Sequence, residues 1–261
     1  TRRSSDLMEG IVYAVTAGNN LINFNTATPS AVNRSVPLTG LAQGETINSI
    51  DFRPRTGQLF AISSASRVYV INTGTGAATA VGAAFTPALN GTAIGLDFNP
   101  TVDRIRLVTD AEQNLRLNPD TGAVAATDSP LAYAQGDANA NANPNIVGSA
   151  YTNNYNATTT TTLFSIDSNL DVLVRQGSPG GAPTSPNTGQ LSTVGGLGFN
   201  TNDQVGFDIA SGSNAAFASL TTTIGLISLS SLYTVNLNTG ATTLIGPIGD
   251  DGDTIRDIAI A

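Results

Sequence analysis

The chain has 261 residues, with 11 basic and 19 acidic side chains, a net charge of -8 and a pI near 4.3. That balance argues against nucleic acid, which needs a basic face. There is no His, Cys or Trp and every basic residue is Arg, so imidazole bases, thiolates, disulfides and zinc–thiolate sites are excluded, leaving carboxylate, hydroxyl, amide and guanidinium chemistry whose oxygen ligands suit calcium or magnesium.

Residues 1–10, TRRSSDLMEG, lack a hydrophobic signal core and read as an N-terminal arm outside the repeat that follows. Residues 11–38 hold three strand-like runs, beginning with VYAV (12–15) and turning at Asn25-Thr26-Ala27. From there a unit recurs about every 50 residues. It opens on an inner strand: INSIDF (47–52), IGLDF (94–98), VGSAY (147–151), VGFDI (205–209) and finally IRDIAI (255–260). A second strand follows each of the first four: LFAI (59–62), IRLV (105–108), LFSI (163–166) and AFAS (216–219). Then comes an Asn/Asp-Thr-Gly turn, at Asn72-Thr73-Gly74, Asp120-Thr121-Gly122, Asn187-Thr188-Gly189 and Asn238-Thr239-Gly240, flanked by strands such as VYVI (68–71) and AATAVG (77–82). Asn or Asp first and Gly third suit a tight hairpin.

Four short strands per unit are the blades of a propeller. The last inner strand has no followers and residues 11–38 have no inner strand, so the two ends predict one shared blade. The expected fold is all-β: a five-bladed β-propeller over residues 11–261, closed by pairing of N- and C-terminal strands. Closure removes the edges an open array would expose. An open β-solenoid is the alternative, but it needs capping ends that the sequence does not display. No apolar run reaches the roughly 18 residues of a membrane-spanning helix.

Several polar residues stand out along this frame. Asp51, Asp97, Asp208 and Asp257 align in the inner strands, with Ala150 in the remaining copy. Inner strands line the channel, so these are the channel-lining candidates, either for a cation or polar ligand or for bonds to backbone and Arg between blades. Arg106 stands where Tyr13, Phe60, Phe164 and Phe217 stand in other units. A buried guanidinium there needs carboxylate or carbonyl partners, and Asp97 and Asp103 are the expected ones. The segment GDANANANPN (136–145) places Asp137, Asn139 and Asn141 at every second position, as calcium loops do. Ala142 and Gly148 stand where an EF-hand needs Gly and Glu. The segment therefore reads either as a non-EF-hand calcium site, with calcium its cofactor, or as an Asn-rich turn. A second acidic loop, GDDGDT (249–254), precedes the closing strand.

The stretches GLDFNPTVDRIRLVTDAEQNLRLNPDTGAV (95–124), LAYAQGDANANANPNIVGSAYTNN (131–154), TVGGLGF (193–199) and GFDIASGSNAAFASL (206–220) resemble a bacterial family of unknown function, number 4394. The resemblance covers roughly residues 10–261. It implies a propeller-like fold and a secreted or surface-associated bacterial protein, with no established activity and no catalytic residues. The expected role is a non-enzymatic extracellular binding or structural module, meeting protein partners or copies of itself. The alternative is a carbohydrate-active hydrolase that acts through the channel aspartates on a glycan or other small ligand. With no Trp and only 15 aromatic residues, the usual sugar platforms are scarce.

Overall fold

The computed structural model describes residues 10–249 and 254–261; most of the predicted arm and of the 249–254 loop lie outside these. Strands β1 (Ile11–Thr16), β2 (Asn20–Asn25) and β3 (Thr28–Pro37) open the chain. The second blade is β4 (Ile47–Phe52), β5 (Leu59–Ser63), β6 (Val68–Ile71) and β7 (Ala78–Val81). The third is β8 (Ile94–Asn99), β9 (Arg104–Thr109), β10 (Asn114–Leu117) and β11 (Val124–Thr127). A short β12 (Ala132–Tyr133) precedes the fourth, β13 (Ile146–Tyr151), β14 (Leu163–Asp167), β15 (Val172–Gln176) and β16 (Gln190–Gly196). The fifth is β17 (Val205–Ile209), β18 (Ala216–Ile224), β19 (Ile227–Val235) and β20 (Thr242–Pro247). The last strand, β21 (Ile255–Ile260), returns to β1 and completes the first blade in the order β21-β1-β2-β3.

The protein is therefore a five-bladed β-propeller in which the two ends of the chain share a blade. Tyr13 pairs with Ala259 and Val15 with Asp257 across the closing antiparallel ladder. The inner strands β21, β4, β8, β13 and β17 each pack against the next around the axis. Every blade is antiparallel; β12 adds a fifth, parallel strand to the outer edge of blade 4.

Each sheet has two faces and each face needs cover, so the apolar residues collect between blades. Five buried clusters result, one per junction. Four of them hold nine to fourteen buried apolar side chains, whereas the cluster between blades 3 and 4 holds six. That is the junction into which Arg106 projects.

The repeated turn explains the outer packing. Its glycine adopts a left-handed conformation, φ 71° at Gly122 and 78° at Gly240, which Gly enters without steric cost. A Cβ on Gly122 would lie 2.0 Å from the Val81 carbonyl oxygen of the preceding blade. The residue thus serves both the turn and the contact between blades. In blade 2 the matching glycine is Gly76, not the expected Gly74. Asn72 accepts the N–H groups of Gly74 and Thr75 and its own carbonyl accepts that of Gly76, as Asn118 and Asn236 do for Gly122 and Gly240. The five-residue turn beginning at Asn72 contains a second Thr-Gly pair, and only the later one reaches the neighbouring blade.

Candidate functional site

The axis is where charged side chains meet. Register across each blade identifies one ring of inner-strand positions: Asp51 opposite Phe60, Asp97 opposite Arg106, Ala150 opposite Phe164, Asp208 opposite Phe217 and Ala259 opposite Tyr13. Three aspartates and two alanines therefore form the ring. Asp257 does not belong to it, contrary to the sequence alignment. It lies two residues earlier, at the level of Ser49, Gly95, Gly148 and Gly206. The closing strand reads Asp-Ile-Ala-Ile where β4 reads Ser-Ile-Asp-Phe, and only pairing with β1 reveals the offset.

Each ring aspartate reaches forward and accepts the N–H of the residue just after the ring position in the next blade. Asp51 accepts from Phe98 (2.8 Å), Asp97 from Tyr151 (3.1 Å) and Asp208 from Ile260 (2.6 Å). Asp208 also accepts the N–H of its own successor, Ile209 (2.6 Å), and the Phe52 N–H acts on Asp51 in the same way. Those two N–H groups are free because the preceding blades carry Ala150 and Ala259. Asp97 has no such donor, since Asp51 already holds Phe98. Its Oδ1 is buried without a partner.

One oxygen from each of Asp51, Asp97 and Asp208 lies within 4.8 Å of the others. All three residues are almost fully buried, Asp97 at 1% exposure. One layer away, Asp257 bonds to the Ser49 hydroxyl and to the N–H groups of Ile50 and Ile258 (each 2.9 Å). In that layer the inner strands come closest: a Cβ on Gly206 would lie 2.5 Å from the Ile258 nitrogen.

Burial dominates the electrostatics. It drives the carboxyls of Asp51 and Asp97 well above the ordinary range, with mutual repulsion adding to it. Burial likewise lifts Asp208 to about 6, against the pull of its two backbone donors, and Asp257 to about 8. None of the ion pairs among the described residues involves any of the four. Clefts open at both ends of the axis, about 240 Å³ beside Asn48, Asp203 and Arg256 and about 280 Å³ beside Arg53, Tyr155 and Ala261. Neither of these clefts is lined by a ring aspartate.

Arg106 is 1% exposed and its guanidinium points outward between blades 3 and 4. Its carboxylate partner is Asp128 at 2.6 Å, not Asp97 or Asp103. Asn114 (2.6 Å), Asn187 (2.5 Å) and the Tyr151 hydroxyl (3.4 Å) complete its contacts. Asp97, although opposite Arg106 in the ladder, is a short side chain committed to the axis, while the longer guanidinium extends past it. Asp128 is also held by Arg116 through two bonds of 2.8 Å. Burial alone would raise its carboxyl; the two guanidiniums outweigh burial and hold it below the ordinary value. Asp128 was missed in the sequence although it is the sole charged residue between Asp120 and Asp137.

Asp103 instead pairs with Arg53 of blade 2, at 2.8 and 2.5 Å, and more weakly with Arg55. The Arg53 bonds, first among the causes, lower the Asp103 carboxyl. Arg53 also bonds Asp120 at 2.7 Å. One arginine thus fastens two turns of blade 3 to blade 2.

In the Asn-rich loop, Asp137 accepts the backbone N–H and hydroxyl of Thr193 (both 2.7 Å) and the Asn139 N–H (2.9 Å). The Asn139 side chain donates to the Thr193 hydroxyl at 2.9 Å, and Asn141 is exposed. Burial opposes ionisation of Asp137, yet these donors hold its carboxyl below the ordinary value. The loop is stitched to β16 by its own acceptors.

A last feature had no signal in the repeat. Strands β18 and β19 run past their neighbours. Pairing with β17 ends at Leu220 and pairing with β20 begins at Ser231, whereas the hairpin continues to Ile224 opposite Ile227. Gly225, with φ 64°, makes the turn. Leu226 is 102% exposed and Ile224 75%, with Ile227 and Leu229 exposed beside them.

A family profile for a domain of unknown function, DUF4394, matches residues 20–259. No curated protein matches. Among solved structures, a chain of a nidogen/laminin complex is similar at 10% identity over 97% of this chain and 98% of that one, with a TM-score of 0.51. A structural-genomics protein of unknown function from Bacteroides thetaiotaomicron is 14% identical over 95% of this chain and 63% of that one, also at 0.51. A putative 6-phosphogluconolactonase from Bacteroides uniformis is 12% identical over 93% and 83%, at 0.48. At such identities the likeness is one of fold.

Proposed function

Since the chain belongs to the DUF4394 family, a domain of unknown function, its role has to be drawn from its own residues, and we propose a non-enzymatic binding module that associates with copies of itself through the β18–β19 hairpin. The observation that carries this reading is the apolar tip at Ile224, Leu226, Ile227 and Leu229, exposed on a hairpin that overruns its sheet. Past Thr221 and Ser230, which still bond Asn202 and Ile248, the hairpin runs beyond the ladders of β17 and β20. An edge strand of this kind is a template for a further strand, and natural proteins usually guard it with charge or Pro. Residues 221–231, TTTIGLISLSS, contain neither. Two copies can therefore pair about a two-fold axis without like-charge repulsion, each burying the other's tip.

The buried axis supports a structural rather than catalytic role: the carboxylates that a hydrolase would use line neither cleft. The low charge and abundant Asn, Thr, Gly and Ala support a place outside a bacterial cell, with which the lack of Cys is compatible. No helix among the described residues is long and apolar enough to cross a membrane. Light scattering across concentration tests the assembly, with Leu226→Asp as the comparison. That side chain touches no core, so the variant folds as the parent does. Association in the parent and loss in the variant is the expected pair of results. A parent that stays monomeric to millimolar concentration ends this reading.

A further inference from the structure

We propose that the axial ring is a built site for one divalent cation, with calcium the best fit, ligated by the carboxylates of Asp51, Asp97 and Asp208. Five N–H groups follow the five ring positions: Phe52, Phe98, Tyr151, Ile209 and Ile260. All five act on the ring aspartates. Three carboxylates offer six oxygens, so one is left over, and it is Asp97 Oδ1, buried and without a partner. A buried acceptor left bare is costly, and more so when it belongs to a carboxylate. The surplus follows from the ring order. Asp51 precedes Asp97, takes the Phe98 N–H, and leaves Asp97 short.

Geometry narrows what fills the gap. Oxygens within 4.8 Å of one another are close enough to share one ion, and calcium, which takes roughly six to eight oxygens in flexible geometry, suits such an enclosed set better than magnesium, which demands a near-ideal octahedron and keeps several waters. The two remaining ring positions carry the small, uncharged Ala150 and Ala259. Charge agrees. Three buried carboxylates converge and, among the described residues, no guanidinium pairs with them: Arg53 is spent on Asp103 and Asp120 and Arg106 on Asp128. Either protons or a cation must balance them. Asp257, with partners on both oxygens, supports the ring from the layer below and is not a ligand. The site joins blades 2, 3 and 5, so an ion there ties non-adjacent blades across the axis.

Because the site is enclosed, loading is tested through refolding. The full chain is unfolded in guanidinium with EDTA and refolded with or without calcium; a desalted portion is assayed for retained metal, and the melting temperature is taken in the refolding buffer. The expected result is about one retained calcium per chain and a melting temperature higher by roughly 5–10 °C with free calcium near a hundredfold above Kd. Asp97→Asn loses both effects while its spectrum and melting in EDTA show a folded protein. Asp137→Ala, in the Asn-rich loop, keeps both. A wild type that refolds without retained calcium and without a shift overturns the proposal and leaves protons as the counter-charge. Equal calcium retention by Asp97→Asn also overturns it, by placing the ion elsewhere.

Discussion

Asp51 accepts the Phe98 N–H at 2.8 Å, and by doing so removes the donor that Asp97 in the next blade would otherwise use. The same rule, reach forward one blade and one residue, holds for Asp97 and Asp208. The ring is thus a set of ties between blades with a built-in surplus of one acceptor.

Truncations in the ring should differ in sign. Asp51→Ala frees the Phe98 N–H for Asp97 Oδ1 but strands the Phe52 N–H that acts on Asp51, and should cost about 1–3 kcal/mol, the usual penalty for a buried donor without a partner. Asp97→Asn removes a buried charge while keeping an acceptor for Tyr151. In EDTA at pH 8 it should be neutral or stabilising. Denaturant unfolding of both variants checks this, and equal destabilisation would contradict the donor count.

The metal-free protein should lose stability as pH rises. Asp208 near 6 and Asp257 near 8 lie above the unfolded value of about 3.9. The folded state therefore holds protons that the unfolded chain has released. Asp51 and Asp97, raised as well, act in the same direction. Between about pH 4 and pH 8 stability should fall by up to ~1.4 kcal/mol per pH unit for each proton held. Urea midpoints in EDTA across that range are the measurement; a rise with pH would show the carboxyls to be ionised in the fold.

Between blades 3 and 4, the ranking of losses is the test. Asp128→Ala leaves two guanidiniums without their carboxylate, one of them buried, and should cost about 3–5 kcal/mol. Arg106→Ala should cost near the low end of that range, because Asp128 keeps Arg116. Arg116, one-third exposed, should matter by about 1 kcal/mol or less. A reversed order would mean that Arg106 is held by its neutral partners rather than by Asp128.

Removing residues 254–261 takes away β21, the inner strand of blade 1. It also removes the Ile260 N–H from Asp208 and Asp257 from Ile50. Cooperative unfolding should be lost, and calorimetry should show a broad or absent transition. An unchanged melting profile would mean that the ring does not depend on its shared blade.

Periodicity alone determined the number of blades, the strand order and the closure, because inner strands such as INSIDF and VGFDI recur once per unit with the same followers, and the incomplete inventory at each end leaves one arrangement. Burial of Arg106 was also legible, since a guanidinium in the place of Phe60 or Phe164 inherits their position. The pairing of charges was not. Asp128 lies 22 residues from Arg106, and Arg53 reaches Asp103 from another blade, so both contacts depend on how sheets stack. The depth of Asp257 was settled only by its ladder with β1, where a two-residue offset moves a side chain one layer along the axis while keeping it on the same face. The overrun of β18 and β19 lies outside the repeat unit, so nothing in the other blades foretold it. Local sequence dictates strands and turns through side-chain alternation and glycine. Which carboxylate meets which donor is decided by register and by the order of blades around the axis, and only the closed ring brings those residues together.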